Sequence, residues 1–362
     1  VPRGPTLRQS LRVRADLPDY ASERPHAREL YEGPHKSWFC LTKAYFVGQA
    51  ALKHALSTGE GLTHPAVTKA DFVWQPPKDA PLKRTPLYQV HREHGGKIIP
   101  FAGWEMSVWY TSVSDEHEAV RSTAGLFDVA HMGVLDVKGE HAASFMDTVA
   151  TNYARWIDPG QSIYAYLLDP DGNVIDDFMM YRMARDHYLL VVNAANAEKD
   201  LAWLRAVNSR QFVIDRDNPA TEIEGQIVIR DLKDPSSGAD QRVDVALQGP
   251  NSLKILQSLA KDMGARQKLA RIRRTDHARL ELAGIDLIVA RTGYTGEEYG
   301  FELLVHPDRA VELWNLLLAN GASLGIKPCG LGARDSTRIE AGLPLYGHEL
   351  AGEYSISPSE AG

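Results

Sequence analysis

Hydrophobic and polar residues follow two distinct periodicities in the region after residue 85. Alternation over 133–138 is typical of a half-buried strand. Apolar runs bounded by turn residues predict further strands over 162–168, 174–183, 188–193, 223–231, 242–248, 286–290 and 300–305. Helical spacing predicts helices over 115–124, 141–150, 196–207 (with Asn196 as N-cap), 250–263 and 307–320. Strands in antiparallel-looking pairs with helices between them predict an α+β fold rather than a doubly wound sheet.

Proline marks a predicted boundary near residue 81. Ten of the 20 prolines lie in residues 1–86, and the run 75–81 has the composition of a linker. We therefore predict an N-terminal extension over 1–81, in which 46–56 form a short strand or turn that enters a helix. The main region is predicted to occupy 82–362.

Composition excludes several classes of function. The 47 acidic residues exceed the 40 lysines and arginines, and the net charge of −7 argues against a general nucleic-acid binder. No run approaches ~18 uninterrupted apolar residues, so no membrane span is expected. The two cysteines, Cys40 and Cys329, do not form a disulfide framework and favour a reducing compartment.

The motifs of several common enzyme classes are incomplete. Residues 330–335 begin like a dinucleotide fingerprint, but Asp335 replaces the third glycine. A phosphate-binding Gly-Lys-Ser/Thr loop and a Gly-x-Ser-x-Gly elbow are missing. His348-Glu349 begins like a zinc-protease motif, but Gly352 occupies the position of the second histidine. An NTPase, a serine hydrolase and a metalloenzyme are therefore disfavoured.

Three polar groups remain as candidates for chemistry. Asp176 and Asp177 interrupt an apolar strand, and alternation places them on opposite faces, so that one can face a pocket. Alternatively, the pair caps backbone amides. Glu302 follows a glycine-rich loop and can meet a ring edge that carries N–H donors, or it is a surface acid. Arg334 and Arg338 lie four residues apart on one helix face, either in ion pairs or aimed into a cleft.

These segments together resemble the glycine cleavage T-protein family of aminomethyltransferases. The similarity extends in family order over residues 85–362, and its most specific segments are Phe101-Ala102-Gly103-Trp104-Glu105-Met106, Phe127-Asp128-Val129-Ala130-His131-Met132-Gly133, Leu247-Gln248-Gly249-Pro250 and Gly293-Tyr294-Thr295-Gly296-Glu297. The resemblance implies α+β subdomains around a central folate channel. The family continues past the Ser359-Glu360-Ala361-Gly362 motif into a small C-terminal barrel, so the resemblance also implies that this barrel domain is absent from the chain.

The resemblance implies a one-carbon transfer reaction of the glycine cleavage system. The methylene of an aminomethyl group, carried on the dihydrolipoyl arm of the lipoylated H-protein, passes to tetrahydrofolate, and ammonia is released. Tetrahydrofolate is the implied co-substrate, without a metal or a redox cofactor. The implied location is the cytoplasm, or the mitochondrial matrix in a eukaryote, with no nucleic-acid or membrane partner. The alternatives are a folate-dependent demethylase and a non-catalytic folate-binding relative of the same fold.

Motif position assigns a role to individual residues under this resemblance. Asp176, the first acid of the pair, matches the catalytic aspartate, and we expect it to face the channel while Asp177 faces away. It would orient and activate a folate nitrogen and assist proton transfer as ammonia leaves. Met132 would form an apolar wall, or would be an ordinary core methionine. The remaining folate contacts are expected from Tyr164, Asn193, Tyr294, Glu302 and Arg334.

Overall fold

Eight α-helices and thirteen strands follow one another in residues 69–77 and 80–350, the part of the chain that the computed structural model describes. The predicted elements of 46–56 lie outside the described residues. The helices are α1 (Tyr88–Glu93), α2 (Val113–Ser122), α3 (Ala142–Val149), α4 (Ala197–Asn208), α5 (Ser252–Ser258), α6 (Met263–Arg271), α7 (Pro307–Gly321) and α8 (Leu331–Glu340). The strands are β1 (Ile98–Phe101), β2 (Trp104–Ser107), β3 (Ala124–Asp128), β4 (Gly133–Lys138), β5 (Ser162–Leu168), β6 (Val174–Ala184), β7 (His187–Val192), β8 (Val228–Asp231), β9 (Val243–Gln248), β10 (His277–Leu282), β11 (Ile285–Ala290), β12 (Gly300–Val305) and β13 (Ile326–Cys329).

The alternation of apolar and polar residues located most of these strands. Strands β4, β5 and β12 have the predicted bounds, β6, β9 and β11 differ by one residue at one end, and β7 is shifted by one residue at both ends. The helix predicted over 250–263 is too long, because α5 ends at Ser258 and a separate helix, α6, begins at Met263 and continues to Arg271. The sequence analysis missed the β1–β2 hairpin. Its two-residue turn places Ala102 and Gly103 at φ 48° and 80°, the left-handed geometry of a type I′ turn.

A six-stranded sheet forms the first subdomain, with strand order β10-β11-β12-β9-β3-β13. Strand β13 runs parallel to β3, and the other neighbours are antiparallel. Helices α5, α6 and α7 cover one face, where Trp314 of α7 and Leu256 of α5 pack with Val245 and Leu247 of β9. Burial of these apolar side chains drives the sheet and helices together.

A five-stranded antiparallel sheet forms the second subdomain, with strand order β5-β6-β7-β4-β8. Helices α3 and α4 cover one face, and Phe178 and Met180 of β6 belong to the core beneath them with Trp203 of α4. The opposite face meets the first subdomain in a third cluster that includes Tyr181, Val191 and Leu304. The two sheets therefore pack against each other, which confirms the α+β prediction.

Residues 69–77, a part of the predicted extension, pack on the second subdomain. Ala70 forms a parallel bridge with Phe212, and the ring of Phe72 lies 5.2 Å from that of Trp203. The Lys69 ammonium donates to the Thr221 carbonyl at 2.8 Å. No helix within the described residues combines the length and the apolarity of a membrane span.

Candidate active site

A cavity of about 960 Å³ lies between the two sheets. It falls within the ~300–1,000 Å³ range typical of small-molecule sites. Strands β5, β6 and β7 contribute one wall, and the loop before β12 and helix α8 contribute the other. Of the predicted site residues, Asp176 alone does not line this cavity. The six that line it are Met132, Tyr164, Asn193, Tyr294, Glu302 and Arg334.

The structure reverses the predicted orientation of the acid pair. Asp177 lines the cavity, whereas Asp176 is fully buried on the other face of β6. The two acids do lie on opposite faces of β6, as the alternation of strand residues predicts. Phe178 and Met180 decide which face is the inner one, because they lie in the core under α3 and α4. Asp176 shares their face and therefore lies under α4. The expectation that Asp176 faces the channel is wrong.

Asp177 is held by two hydrogen-bond donors at the edge of the cavity. Tyr164 Oη donates to its Oδ2 at 2.8 Å, and Asn193 Nδ2 donates to its Oδ1 at 2.8 Å. Burial and, to a smaller extent, the charge of Asp176 raise the pKa of Asp177 to about 6, although these hydrogen bonds lower it. A carboxyl group with this pKa can both accept and return a proton near neutral pH.

Asp176 accepts three hydrogen bonds behind Asp177. The Asn193 backbone N–H donates at 2.9 Å, Asn193 Nδ2 at 2.9 Å and Asn196 Nδ2 at 2.6 Å. Asn196 occupies the predicted N-cap position of α4, but its side chain makes no capping bond, and its Nδ2 donates to Asp176. The predicted side-chain cap is therefore wrong. Asp200, one turn into α4, contacts Asp176 from the core side and was missed by the sequence analysis.

The opposite wall brings Glu302 and Arg334 to the same cavity although 32 residues separate them. Glu302 on β12 accepts a hydrogen bond from Tyr181 Oη at 2.9 Å and another from Thr292 Oγ1. The Arg334 guanidinium lies 4.8 Å from the centre of the Tyr294 ring. Among the described residues no carboxylate forms an ion pair with Arg334, so its donors are available to a ligand.

The two arginines of α8 have different roles. Arg338 pairs with Asp335 at 2.8 Å and with Glu349 at 2.7 Å, which supports the ion-pair interpretation for this residue. Both arginines line the cavity, but Arg334 has no ion pair among the described residues. One arginine of this helix face is therefore held in ion pairs, and the other is available to a ligand.

The turn after β3 presents His131 and Met132 to the cavity. Burial lowers the pKa of His131 to about 3, so the imidazole is neutral, and no described residue hydrogen-bonds its Nδ1.

Lys233 Nζ donates to the carbonyls of Ala130, His131 and Met132 at 2.7, 3.0 and 3.1 Å. The same ammonium lies 4.0 Å from the Trp104 ring centre. Nothing in the local sequence pattern indicated this lysine, because its acceptors lie about 100 residues away.

Within residues 69–77 and 80–350, no group of three or more His, Cys, Asp or Glu side chains is arranged to hold a metal ion. The polar groups of the site are instead carboxyl, amide, phenol and guanidinium groups. Such groups can orient a polar ring by hydrogen bonds and exchange protons with it.

The fold and the cavity define a two-subdomain protein with a site of small-molecule size, lined by apolar, aromatic and polar side chains. A model of the GCVT N-terminal domain matches residues 87–362. The chain belongs to the glycine cleavage T-protein family.

Individual relatives support this assignment. The aminomethyltransferase of Anoxybacillus flavithermus is 42% identical over 282 residues, which cover 78% of this chain and 70% of the relative. That of Desulfitobacterium hafniense strain Y51 is 43% identical over 281 residues, 78% of this chain and 69% of the relative. The crystal structure of glycine cleavage system aminomethyltransferase T from Bartonella henselae matches with a TM-score of 0.61 and 32% identity. That match covers 75% of this chain and 66% of the other, so this chain spans slightly less than two thirds of its length.

Proposed function

We propose that the protein is an aminomethyltransferase of the glycine cleavage system. It transfers the methylene of an aminomethyl-dihydrolipoyl group on the H-protein to tetrahydrofolate and releases ammonia. Family membership supports the reaction class. The low cysteine content supports a reducing compartment, and the proposed location is the cytoplasm, or the mitochondrial matrix in a eukaryote. The observation that carries the proposal is Asp177, a titratable carboxyl group at the wall of a cavity of suitable volume.

The reaction balances without an oxidant or a reductant. The carbon–nitrogen and carbon–sulfur bonds of the carrier group break, and two carbon–nitrogen bonds to the folate form. Two folate N–H protons are lost, and they end on ammonia and on the dihydrolipoyl sulfur. The protein therefore has to position the reactants and move protons.

Asp177, rather than Asp176, is the proposed acid–base group. In its ionised form it can accept a proton from a folate nitrogen, and it can return that proton to the departing ammonia. Tyr164 and Asn193 fix its orientation through the hydrogen bonds described above. Asp176 is shielded from the cavity and cannot reach a ligand without a movement of β6.

The other predicted residues are proposed as folate contacts. Glu302 can accept hydrogen bonds from the N–H edge of the pterin, and the Arg334 guanidinium can donate to its polar atoms. Tyr294 offers an aromatic face and Met132 an apolar wall. The proposed division of the chain remains an extension over 1–81 and a folate-binding region over 82–362.

An Asp177→Asn variant tests the proposal. The amide keeps the size of the side chain but cannot accept and return a proton, so turnover should fall by at least ~100-fold, as expected for a general acid–base group. Binding of tetrahydrofolate should change little. The assay follows 5,10-methylenetetrahydrofolate formed from aminomethylated H-protein.

Asp186→Asn is a matched control, because this exposed aspartate lies in the β6–β7 turn outside the cavity. Full turnover in the Asp177→Asn variant would refute the assigned role. Absence of product with the unaltered protein would favour a demethylase or a non-catalytic folate-binding protein.

A further inference from the structure

Three carboxyl groups form a continuous row from the cavity into the core of the second subdomain. Asp177 lines the cavity, Asp176 is fully buried behind it, and Asp200 of α4 is fully buried behind Asp176. Asn193 Nδ2 joins the first two, at 2.8 Å from Asp177 Oδ1 and 2.9 Å from Asp176 Oδ1. The row requires a definite distribution of protons, because three adjacent buried charges of one sign repel strongly.

Asp200 has the environment of a neutral carboxylic acid. Neither of its oxygens accepts a hydrogen bond from a donor among the described residues. The polar group within hydrogen-bonding reach is the carboxyl of Asp176, and two carboxyl groups can share a hydrogen bond only if one is protonated. The neighbouring Lys199 donates to the Ile175 carbonyl at 2.7 Å and lies 3.3 Å from Tyr346 Oη. This ammonium does not hydrogen-bond Asp200, since neither Asp200 oxygen has a donor among the described residues.

Asp176 has the opposite environment. One backbone N–H and two side-chain amides donate to its oxygens at 2.6–2.9 Å. Burial raises the pKa of Asp176, and the hydrogen bonds from Asp200, Asn193 and Asn196 oppose this rise, because donors aimed at both oxygens stabilise the ionised form of a carboxyl group. A hydrogen bond donated by a protonated Asp200 would stabilise the ionised form of Asp176 in the same way.

We propose that Asp200 is a positioning residue that stays protonated in the folded protein and donates its hydrogen bond to Asp176. Asp176 is thereby kept as a buried carboxylate, and its fixed charge repels the negative form of Asp177. This repulsion keeps Asp177 able to hold a proton near neutral pH. The inference rests on the proposed function only for the part played by Asp177.

The remaining groups that face Asp177 do not supply this charge. Tyr164 and Tyr166 of β5 and Tyr294 of the loop before β12 are neutral near neutral pH, because burial raises the pKa of each. The cation Lys199 of α4 acts on Asp200, where its charge lowers the pKa against the larger effect of burial. The buried negative charge next to Asp177 is therefore that of Asp176.

The pH dependence of stability tests the protonation state without any activity assay. In the unfolded chain Asp200 ionises above about pH 4. If it stays protonated in the folded protein, the wild-type protein loses stability as pH rises through this value, because the unfolded state then loses a proton that the folded state keeps. The amide of the Asp200→Asn variant cannot ionise in either state. The melting temperature of Asp200→Asn minus that of wild type should therefore increase between pH 4.5 and pH 7.5.

A difference that stays constant or decreases with pH would overturn the proposal, because Asp200 would then be ionised in the folded protein. Asp186→Asn serves as control and should show no such increase. Infrared spectra at pH 8 provide a second measurement. The carbonyl stretching band of a protonated carboxylic acid should be present in wild type and reduced in Asp200→Asn. An unchanged band would also overturn the proposal.

The pH profile of turnover tests the coupling to Asp177. Asp200→Asn keeps a neutral donor next to Asp176, so the acidic limb of the profile should stay within about 0.3 pH unit of wild type. The double variant Asp176→Asn/Asp200→Asn leaves no charge behind Asp177, and its limb should move to lower pH by at least about 0.5 unit.

A downward shift in the single variant, or no shift in the double variant, would overturn the coupling. If the wild-type protein forms no product, the proposed function fails. The melting and infrared measurements would still decide the protonation of Asp200.

Discussion

Removal of the Tyr164 hydroxyl tests how the cavity tunes its acid–base group. Tyr164 Oη donates to Asp177 Oδ2 at 2.8 Å, and this bond favours the ionised carboxylate. A hydrogen bond to a charged group contributes about 1.5–3 kcal/mol, and one pKa unit corresponds to about 1.36 kcal/mol. Tyr164 is 37% exposed, so water can replace part of the lost bond. We therefore expect Tyr164→Phe to raise the pKa of Asp177 by about one unit, from about 6 toward 7.

The assay is the pH dependence of methylene transfer from aminomethylated H-protein to tetrahydrofolate. Because the ionised form of Asp177 accepts the folate proton, the acidic limb of the profile should move to higher pH. The plateau above pH 8 should change less, since Asp177 is ionised there in both proteins. Titration of the Asp177 carboxyl carbon by NMR measures the same shift without turnover.

Tyr188→Phe is the matched control, because Tyr188 Oη contacts the Ala154 carbonyl at 3.3 Å and lies outside the cavity. Its acidic limb should coincide with that of wild type. A Tyr164→Phe limb that stays in place or moves to lower pH would refute this account of Asp177.

Three further substitutions probe other parts of the structure. Lys233→Met should lower the free energy of unfolding by about 2–3 kcal/mol, because three carbonyls lose a charged donor, as measured by urea denaturation. Phe72→Ala should lower it by about 1–2 kcal/mol, because the partly buried ring packs on Trp203. A melting temperature unchanged by Phe72→Ala would show that residues 69–77 add no stability. Glu302→Gln should weaken tetrahydrofolate binding about tenfold, by calorimetry, through the loss of one charge-assisted contact. An unchanged dissociation constant would remove Glu302 from the proposed site.

Much of the secondary structure and most of the candidate cavity residues could be predicted from the sequence, whereas strands β1, β2, β3, β10 and β13 were missed. Strand periodicity depends on local alternation, so β4, β5 and β12 were located without knowledge of their partners. The segments that resemble the family also indicated six side chains that line the cavity. Family resemblance locates residues well, because a motif keeps its position in the chain.

The hairpin of β1 and β2 shows where local patterns fail. Its strands are four residues each, and only a few of their side chains are buried. Such short segments carry too little periodicity to distinguish a strand from a loop. Its pairing depends on an Ala-Gly turn in the left-handed conformation, which the sequence analysis did not anticipate.

The sequence alone established that Asp176 and Asp177 lie on opposite faces of one strand, so that only one of them can line a given cavity. It did not determine which one. That choice depended on which face of β6 helices α3 and α4 cover, and packing between distant elements decides it. The same packing places Asp176 next to Asn196, whose Nδ2 donates to that carboxyl group while its side chain forms no helix cap. Periodicity fixes relative orientation along one strand, whereas the absolute orientation of a side chain is set by the apolar surface that the whole fold buries.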